Sequence, residues 1–433
     1  MRADLKAVVI ADDLTGAADT GVQFTAVGSP VYLMPTETLS LDRPWMAAAA
    51  GISVYTGSRQ VSPQVAAQRL RPVARALADL RPEWVYKKID SCLRGNLGAE
   101  TDVLLDALGL DAALVAPALP GQGRATIGGI HRVHGRPVAE TEFARDPLAP
   151  VASSAITEIL AGQSRYPIGR IDVGEYGDPD RLTGALERER RHGCRLIVCD
   201  AAEQAHLDQV ATLVVRSAGR LLPVGSAGLA AALVENLPAG VGVRPSSDRV
   251  VDPPVTPGPQ RLLMVVGTCS QVTRAQLDAL LERYPGMRCE LAPEWLVEVP
   301  VRDRRRWVSD LLDAWSGGIL ALAFRPLFPG GPMVTHEQAV AGVAGLAGLA
   351  AELVRDGRAD SQLLSGGETA DAFLRASGGE AIRLQGELLP GLVLGRWLGG
   401  VADGLSVVTK AGAFGHEQTL VALYERLCAG AES

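Results

Sequence analysis

What most constrains the fold of this chain is a rhythm: short apolar runs alternate with longer amphipathic segments along almost its whole length. An apolar run suits a strand buried on both faces, and the amphipathic segments suit helices that cover the sheet. The pattern therefore predicts βαβ units around a mostly parallel sheet. Strands are expected at Ala7–Ala11, Val31–Met34, Ile52–Tyr55, Trp84–Ile89, Ala112–Ala116 and Arg195–Cys199. Ser62 followed by Pro63 reads as a capping serine with proline at the first helical position, opening a helix through Leu80. The rhythm breaks between Pro238 and Gln260, where Pro238, Pro245, Pro253, Pro254, Pro257 and Pro259 lie among glycine, serine and charge. That composition predicts a linker. A second series follows: strands at Leu262–Val266, Gly318–Phe324, Gln362–Leu364 and Leu405–Thr409, and helices at Arg274–Tyr284, Glu337–Arg355, Thr369–Ala376 and Glu417–Leu427. The expected fold class is α/β: two α/β domains with mostly parallel sheets, residues 1–237 and 261–433, joined by the linker 238–260, with the site in the interdomain cleft.

Composition narrows the function classes. A net charge of −7 leaves no basic surplus for a nucleic-acid backbone. Met1–Lys6 lacks the apolar core of a secretory signal, and Ala339–Ala351 is short of the about 20 apolar residues a membrane span needs. A cytoplasmic protein with no nucleic-acid or membrane partner is expected, and a homodimer is compatible with the sequence. The six cysteines contain no C-x-x-C pair, so they are expected to be reduced and mostly structural.

Polar residues gather at the ends of predicted strands, where open α/β sheets bind ligands. After the first strand comes Ala11-Asp-Asp-Leu-Thr-Gly-Ala-Ala18. Asp12 and Asp13 can face a polyol or a metal, or one of them can cap the helix that follows. In Tyr86-Lys-Lys-Ile-Asp-Ser-Cys-Leu-Arg-Gly-Asn96, strand alternation puts Lys88 and Asp90 on one face and Lys87 and Ile89 on the other. Lys88, Asp90, Ser91 and Arg94 suit an anionic polyhydroxylated ligand, since arginine binds carboxylate with a fork of donors and aspartate accepts from hydroxyls. Three glycine-containing turns mark the second half: Val265-Val-Gly-Thr-Cys-Ser-Gln-Val-Thr273, Ser365-Gly-Gly-Glu-Thr-Ala370 and Thr409-Lys-Ala-Gly-Ala-Phe-Gly415. Ser270, Gly366, Gly367, Glu368, Thr369 and Gly412 are candidates for holding a nucleotide or its Mg²⁺, with Lys410 a candidate to neutralise phosphate. Neither a Walker A sequence nor a dinucleotide fingerprint is present. His131-Arg-Val-His134 has no third ligand nearby and reads as structural. Gly225-Ser-Ala-Gly-Leu229 either closes the substrate site or packs tightly. Arg302–Arg306 reads as a solvated basic turn of a helix.

Taken in order, the runs starting at Ala11, Lys87, Pro117 (Pro117-Ala-Leu-Pro-Gly-Gln-Gly-Arg124), Val224, Val266, Ser365 and Thr409 resemble the four-carbon acid sugar kinase family, over nearly the whole chain. The resemblance implies ATP-dependent phosphorylation of threonate, erythronate or 3-oxo-tetronate at the terminal (C4) hydroxyl, with a sugar-acid-binding first domain and a nucleotide-binding second. It assigns Asp12, Asp13, Lys88, Asp90, Ser91 and Arg94 to the sugar acid. Ser270, Gly366, Gly367, Glu368, Thr369 and Gly412 go to ATP. The base is expected among Asp12, Asp13 and Asp90; Mg²⁺ is implied, with no ligand set. Cys92, Thr268 and Ala411 depart from the family's usual threonine, serine and serine, changes that can tune the substrate. The alternatives are a kinase for another small aldonate or ketonate and a non-catalytic sugar-acid-binding protein.

Overall fold

In the computed structural model, which describes residues 5–40, 42–146, 149–237, 261–268, 270–299, 301–324, 336–412 and 414–429, the apolar runs form strands with largely buried side chains. The chain divides into two compact units, Met1–Ser246 and Ser247–Ser433. The predicted linker 238–260 lies outside the described residues.

In the first unit the chain runs β1 (Ala7–Ala11), α1 (Leu14–Gly21), β2 (Val31–Pro35), β3 (Gly51–Tyr55), α2 (Pro63–Leu80), β4 (Trp84–Lys88), α3 (Leu97–Leu108) and β5 (Ala112–Ala116). A small antiparallel sheet follows, β6 (Arg124–Ile127), β7 (Ile130–Val133) and β8 (Arg136–Pro137). The unit closes with α4 (Ile156–Ala161), β9 (Ile168–Ile171), α5 (Pro179–Arg191), β10 (Leu196–Cys199), α6 (Gln204–Arg216), β11 (Leu221–Gly225) and α7 (Ala227–Glu235). The main sheet is parallel throughout, in the order β2-β3-β1-β4-β11-β5-β10-β9. The chain winds away from β1 in both directions, so the loops after β1, β3 and β4 meet at one topological switch point. Below them Leu114, Ile197, Leu207 and Leu233 belong to a continuous apolar core.

The second unit runs β12 (Arg261–Val266), α8 (Gln271–Arg283), β13 (Gly286–Leu291), α9 (Pro293–Glu298), α10 (Val301–Ala314), β14 (Gly318–Phe324) and α11 (His336–Arg355). It ends with β15 (Ser361–Ser365), α12 (Gly367–Ser377), β16 (Ala381–Leu389), β17 (Leu392–Leu398), β18 (Ser406–Lys410) and α13 (Thr419–Ala429). Strands β13-β14-β12-β15-β18 are parallel, and the hairpin β16–β17 adds antiparallel strands beside β18. Here β12 is the switch point, with the loops after β12, β15 and β18 side by side.

Several expectations change. The hairpin β16–β17 has no counterpart among the elements expected from the sequence, because register shifts between Leu384 and Gly386 and between Glu387 and Leu389 break its alternation. Strands β9 and β13 and helix α9 are likewise absent from the sequence reading, which marks only one basic turn of helix α10. Arg302–Arg306 lies on α10, where Asp303 and Arg306 are exposed. Helix α11 is long and apolar enough, by length and composition, to cross a membrane, but Leu346, Ala347, Leu349 and Ala350 are buried within the second unit.

Candidate functional site

Two backbone contacts fold the β3 loop onto the end of β1: Thr56 N–H donates to the Ala11 carbonyl (3.0 Å) and Ser58 N–H to that of Asp12 (3.1 Å). This carries Arg59 over the paired aspartates. Its Nε and Nη2 each donate to an oxygen of Asp12 at 2.8 Å, and Nη2 also reaches Asp13 Oδ1 at 2.8 Å. Asp90 Oδ1 lies 3.9 Å from the same Nη2. Arg59, which the sequence reading passed over, is therefore the hub of all three candidate carboxylates.

The aspartates are not equivalent. Asp13 caps α1, accepting from Gly16 N–H (2.9 Å) and Thr15 Oγ1 (2.8 Å), so the capping alternative is realised at this residue. Asp12 faces Arg59. Burial pushes its carboxyl up, but the Arg59 charge and hydrogen bonds, helped by Lys87 and Lys88, hold it below the usual carboxylate range. Asp90 receives Arg94 through Nε to Oδ2 at 2.8 Å and Nη2 to Oδ1 at 3.2 Å. Burial again opposes ionisation, and Arg94 and Arg59 overcome it, leaving Asp90 well below the ordinary range. Both carboxylates are anionic throughout the neutral range. Arg94 also reaches Asp146 (3.0 Å) and lies over the Phe143 ring, so its fork is already engaged by protein groups. Gly95, at φ +93°, allows this close approach: a Cβ there would lie 2.8 Å from Asp12 Oδ2.

The two lysines diverge as strand alternation requires. Lys87 is completely buried and pairs with Glu100 of α3 at 2.9 Å, while Glu100 accepts from Ser58 and Thr56 hydroxyls, bracing the Arg59 loop from beneath. Lys88 turns to the site. Its Nζ is 3.8 Å from Asp19 Oδ1, beyond hydrogen-bond length, and lies against Gly16, where a Cβ would come within 2.7 Å. Among the described residues the Lys88 ammonium makes no hydrogen bond, although its side chain is only 4 % exposed. Ser91 is buried, and its carbonyl accepts from His131 Nε2 at 2.8 Å. His131 also meets Thr126 Oγ1 at 3.0 Å, and burial pushes it down to about 4, so it is a neutral brace. Among the described residues no group of three or more His, Cys, Asp or Glu is arranged around a metal. Burial pushes the Cys92 thiol up to about 11, which keeps it inert. Gly225-Ser-Ala-Gly228 packs: Ser226 Oγ donates to the Ala118 carbonyl (2.7 Å), and a Cβ at Gly225 would lie 2.6 Å from the Ala116 carbonyl.

In the second unit the glycine turns interlock. A Cβ on Gly267 would lie 2.4 Å from Thr369 Oγ1, and one on Gly412 2.5 Å from Thr268 Oγ1. Gly366 adopts φ +105° at the start of α12, and its N–H donates to the Lys410 carbonyl (2.9 Å). Gly366, Gly367, Ser270 and Gly412 are partly exposed, Glu368 is exposed on the first turn of α12, and Thr369 is buried beneath it. Ser270 takes the N-cap position of α8 without a side-chain cap bond. Beside these turns a small cleft is lined by Val266, Thr268, Arg274, Arg288 and Phe324. The expectation that Lys410 faces phosphate is corrected, because its side chain is completely buried under its own loop. Cys269 and Ala413 lie outside the described residues. Mg²⁺ usually takes one or two protein carboxylates plus phosphate and water, and the exposed Glu368 fits that demand.

Comparison with known proteins matches residues 7–233 to the model of a sugar-binding N-terminal domain and residues 263–420 to that of a nucleotide-binding C-terminal domain. The chain is 32 % identical over 433 residues to a D-erythronate kinase of Heliobacterium modesticaldum, covering 94 % of each. It is 33 % identical over 439 residues to a D-threonate kinase of Salmonella typhimurium, covering 97 % of this chain and 98 % of the other. In fold, it aligns with the crystal structure of a Salmonella typhimurium LT2 protein at TM-score 0.76 and 21 % identity, covering 96 % and 98 % of the two chains.

Proposed function

From the premise that this chain belongs to the four-carbon acid sugar kinase family and is a phosphotransferase, we propose that it moves the γ-phosphoryl group of ATP to the terminal (C4) hydroxyl of a four-carbon sugar acid such as threonate, erythronate or 3-oxo-tetronate. The cytosol, where ATP is made available, is the proposed location. The observation that carries the substrate side is Lys88: a nearly buried ammonium with no hydrogen-bond acceptor among the described residues, set beside ionised carboxylates. Such a cation is costly unless something completes its shell, and the carboxylate of a small acid does so. Arg94 is spoken for by Asp90 and Asp146, so its proposed part is to fix Asp90. Arg59 joins the proposed site through the carboxylates it gathers.

In the proposed reaction the acceptor hydroxyl oxygen bonds to the γ-phosphorus as the bond from phosphorus to the β-γ bridging oxygen breaks, releasing ADP. The hydroxyl proton passes to one carboxylate among Asp12, Asp13 and Asp90. Asp12 and Asp90, held low in pKa by their arginines, are weak bases that stay ionised and orient the hydroxyl through its hydrogen bond, which suits a loose transition state in which orientation outweighs early proton removal. On the nucleotide side, Ser270, Gly366, Gly367, Glu368, Thr369 and Gly412 are proposed to hold ATP. Mg²⁺ would neutralise phosphate charge there, with Glu368 the protein ligand at hand. The experiment is ATP turnover with D-threonate, D-erythronate and 3-oxo-tetronate beside the Asp90→Asn variant. Turnover of none of these acids, or an unimpaired folded variant, would refute the proposal.

A further inference from the structure

Lys410 ends β18 with its ammonium turned back beneath the loop it precedes. Its Nζ donates to Thr273 Oγ1 (3.1 Å) and to the carbonyls of Ala411 (3.0 Å) and Gly412 (3.4 Å). Thr273 Oγ1 in turn donates to the Gly412 carbonyl, and Gln276 Nε2 donates to those of Phe414 and His416, both at 3.0 Å. Thr273 and Gln276 are buried on the first two turns of α8. Four carbonyls of one short loop are thus drawn inward by three side chains. In a planar trans peptide the N–H points away from its C=O. The amide of Gly412, paired with the Ala411 carbonyl, and that of Gly415, paired with the Phe414 carbonyl, are therefore turned away from these donors. Neither amide meets an acceptor among the described residues. Outward-facing backbone amides are the means by which glycine-containing loops meet phosphate.

Lys410 is also the wrong kind of lysine for a salt bridge. No carboxylate stands within ion-pair distance among the described residues, and burial pushes the amine down to about 7. What satisfies it is loop carbonyl and hydroxyl oxygen.

We propose that Lys410 is a positioning residue rather than a phosphate ligand: together with Thr273 and Gln276 it orients the Ala411–Gly412 and Phe414–Gly415 peptides so that the Gly412 and Gly415 amides face the polyphosphate of the nucleotide. This rests on the reading that ATP binds at these turns. Close packing of Gly412 on Thr268 transmits the same constraint to the turn after β12.

The test compares Lys410→Met, Thr273→Val and Thr273→Ser with the wild type, using calorimetric affinity for ATP and ADP, KM for both substrates, and circular dichroism to confirm folding. Thr273 is buried, so a change there acts on the loop and not by touching nucleotide. Lys410→Met and Thr273→Val should each weaken ATP by about tenfold or more, the scale of one or two lost hydrogen bonds. KM for the sugar acid should stay within about twofold, since only nucleotide binding is disturbed. Thr273→Ser, which keeps the hydroxyl, should restore wild-type affinity. Wild-type ATP affinity in folded Thr273→Val would overturn the proposal, even if Lys410→Met loses binding, because that pattern makes Lys410 a direct ligand. A wild-type protein that binds no ATP would instead sink the nucleotide reading itself.

Discussion

Replacing Arg59 by methionine probes the proposed substrate site at its hub. Its side chain is 11 % exposed and makes three contacts of 2.8 Å, two to Asp12 and one to Asp13, with Asp90 at 3.9 Å. Removing one partner of a buried pair leaves the other charge stranded, which typically costs about 3–5 kcal/mol. The pH dependence has a definite sign. Asp12 and Asp90 are held below their unfolded values, so both stabilise the wild type above the unfolded carboxylate pKa and lose that contribution as pH falls through the folded value. Without Arg59, burial raises Asp12 against only Lys87 and Lys88, so it opposes folding at neutral pH and is relieved on protonation. The stability deficit of Arg59→Met should therefore be larger near pH 7 than near about pH 5. Calorimetric unfolding at both pH values measures it. kcat/KM for the sugar acid should fall about tenfold to a hundredfold, the worth of one charge-assisted contact, with ATP affinity unchanged. A deficit independent of pH, or normal kcat/KM in the folded variant, would refute the reasoning.

Asp90→Asn should lower kcat strongly while calorimetry still detects ATP binding, because Asp90 lies in the first unit's ring of charge and the second unit is untouched. Gly412→Val should weaken ATP and spare the sugar acid, since its Cβ would lie 2.5 Å from Thr268 Oγ1; unchanged affinity by calorimetry would remove this turn from the nucleotide site. Lys87→Met should destabilise the first unit by about 3–5 kcal/mol, because it strands the completely buried Glu100, and urea unfolding reads the loss.

How much of this was legible before the structure depends on where each residue's partners lie. Apolar runs and local caps need no distant partner, so Ala7–Ala11, Gly318–Phe324 and the Ser62-Pro63 helix start appear where periodicity and turn chemistry put them. Arg59 was invisible because an arginine between Gly57 and Pro63 looks like an ordinary solvated turn. Only the pairing of β3 beside β1 brings it to Asp12. Lys88 and Lys87 separated as alternation required, whereas Lys410 was misread because alternation does not say which face of β18 α8 covers. The missed hairpin β16–β17 carried a usable signal in Pro390-Gly391, a turn pair between two apolar runs, but its bulges hid the period.

The central claim is that a sugar acid is held by its carboxylate and phosphorylated at the far end. The direct measurement is kcat/KM on threonate and erythronate against the neutral threitol and erythrose, with the phosphorylated carbon assigned by phosphorus-coupled NMR. The acids should exceed the neutral analogues by about tenfold to a hundredfold, with Lys88→Met erasing most of that margin and the phosphate found on the terminal carbon. Equal rates on the neutral polyols, or phosphate on an internal carbon, would contradict the account.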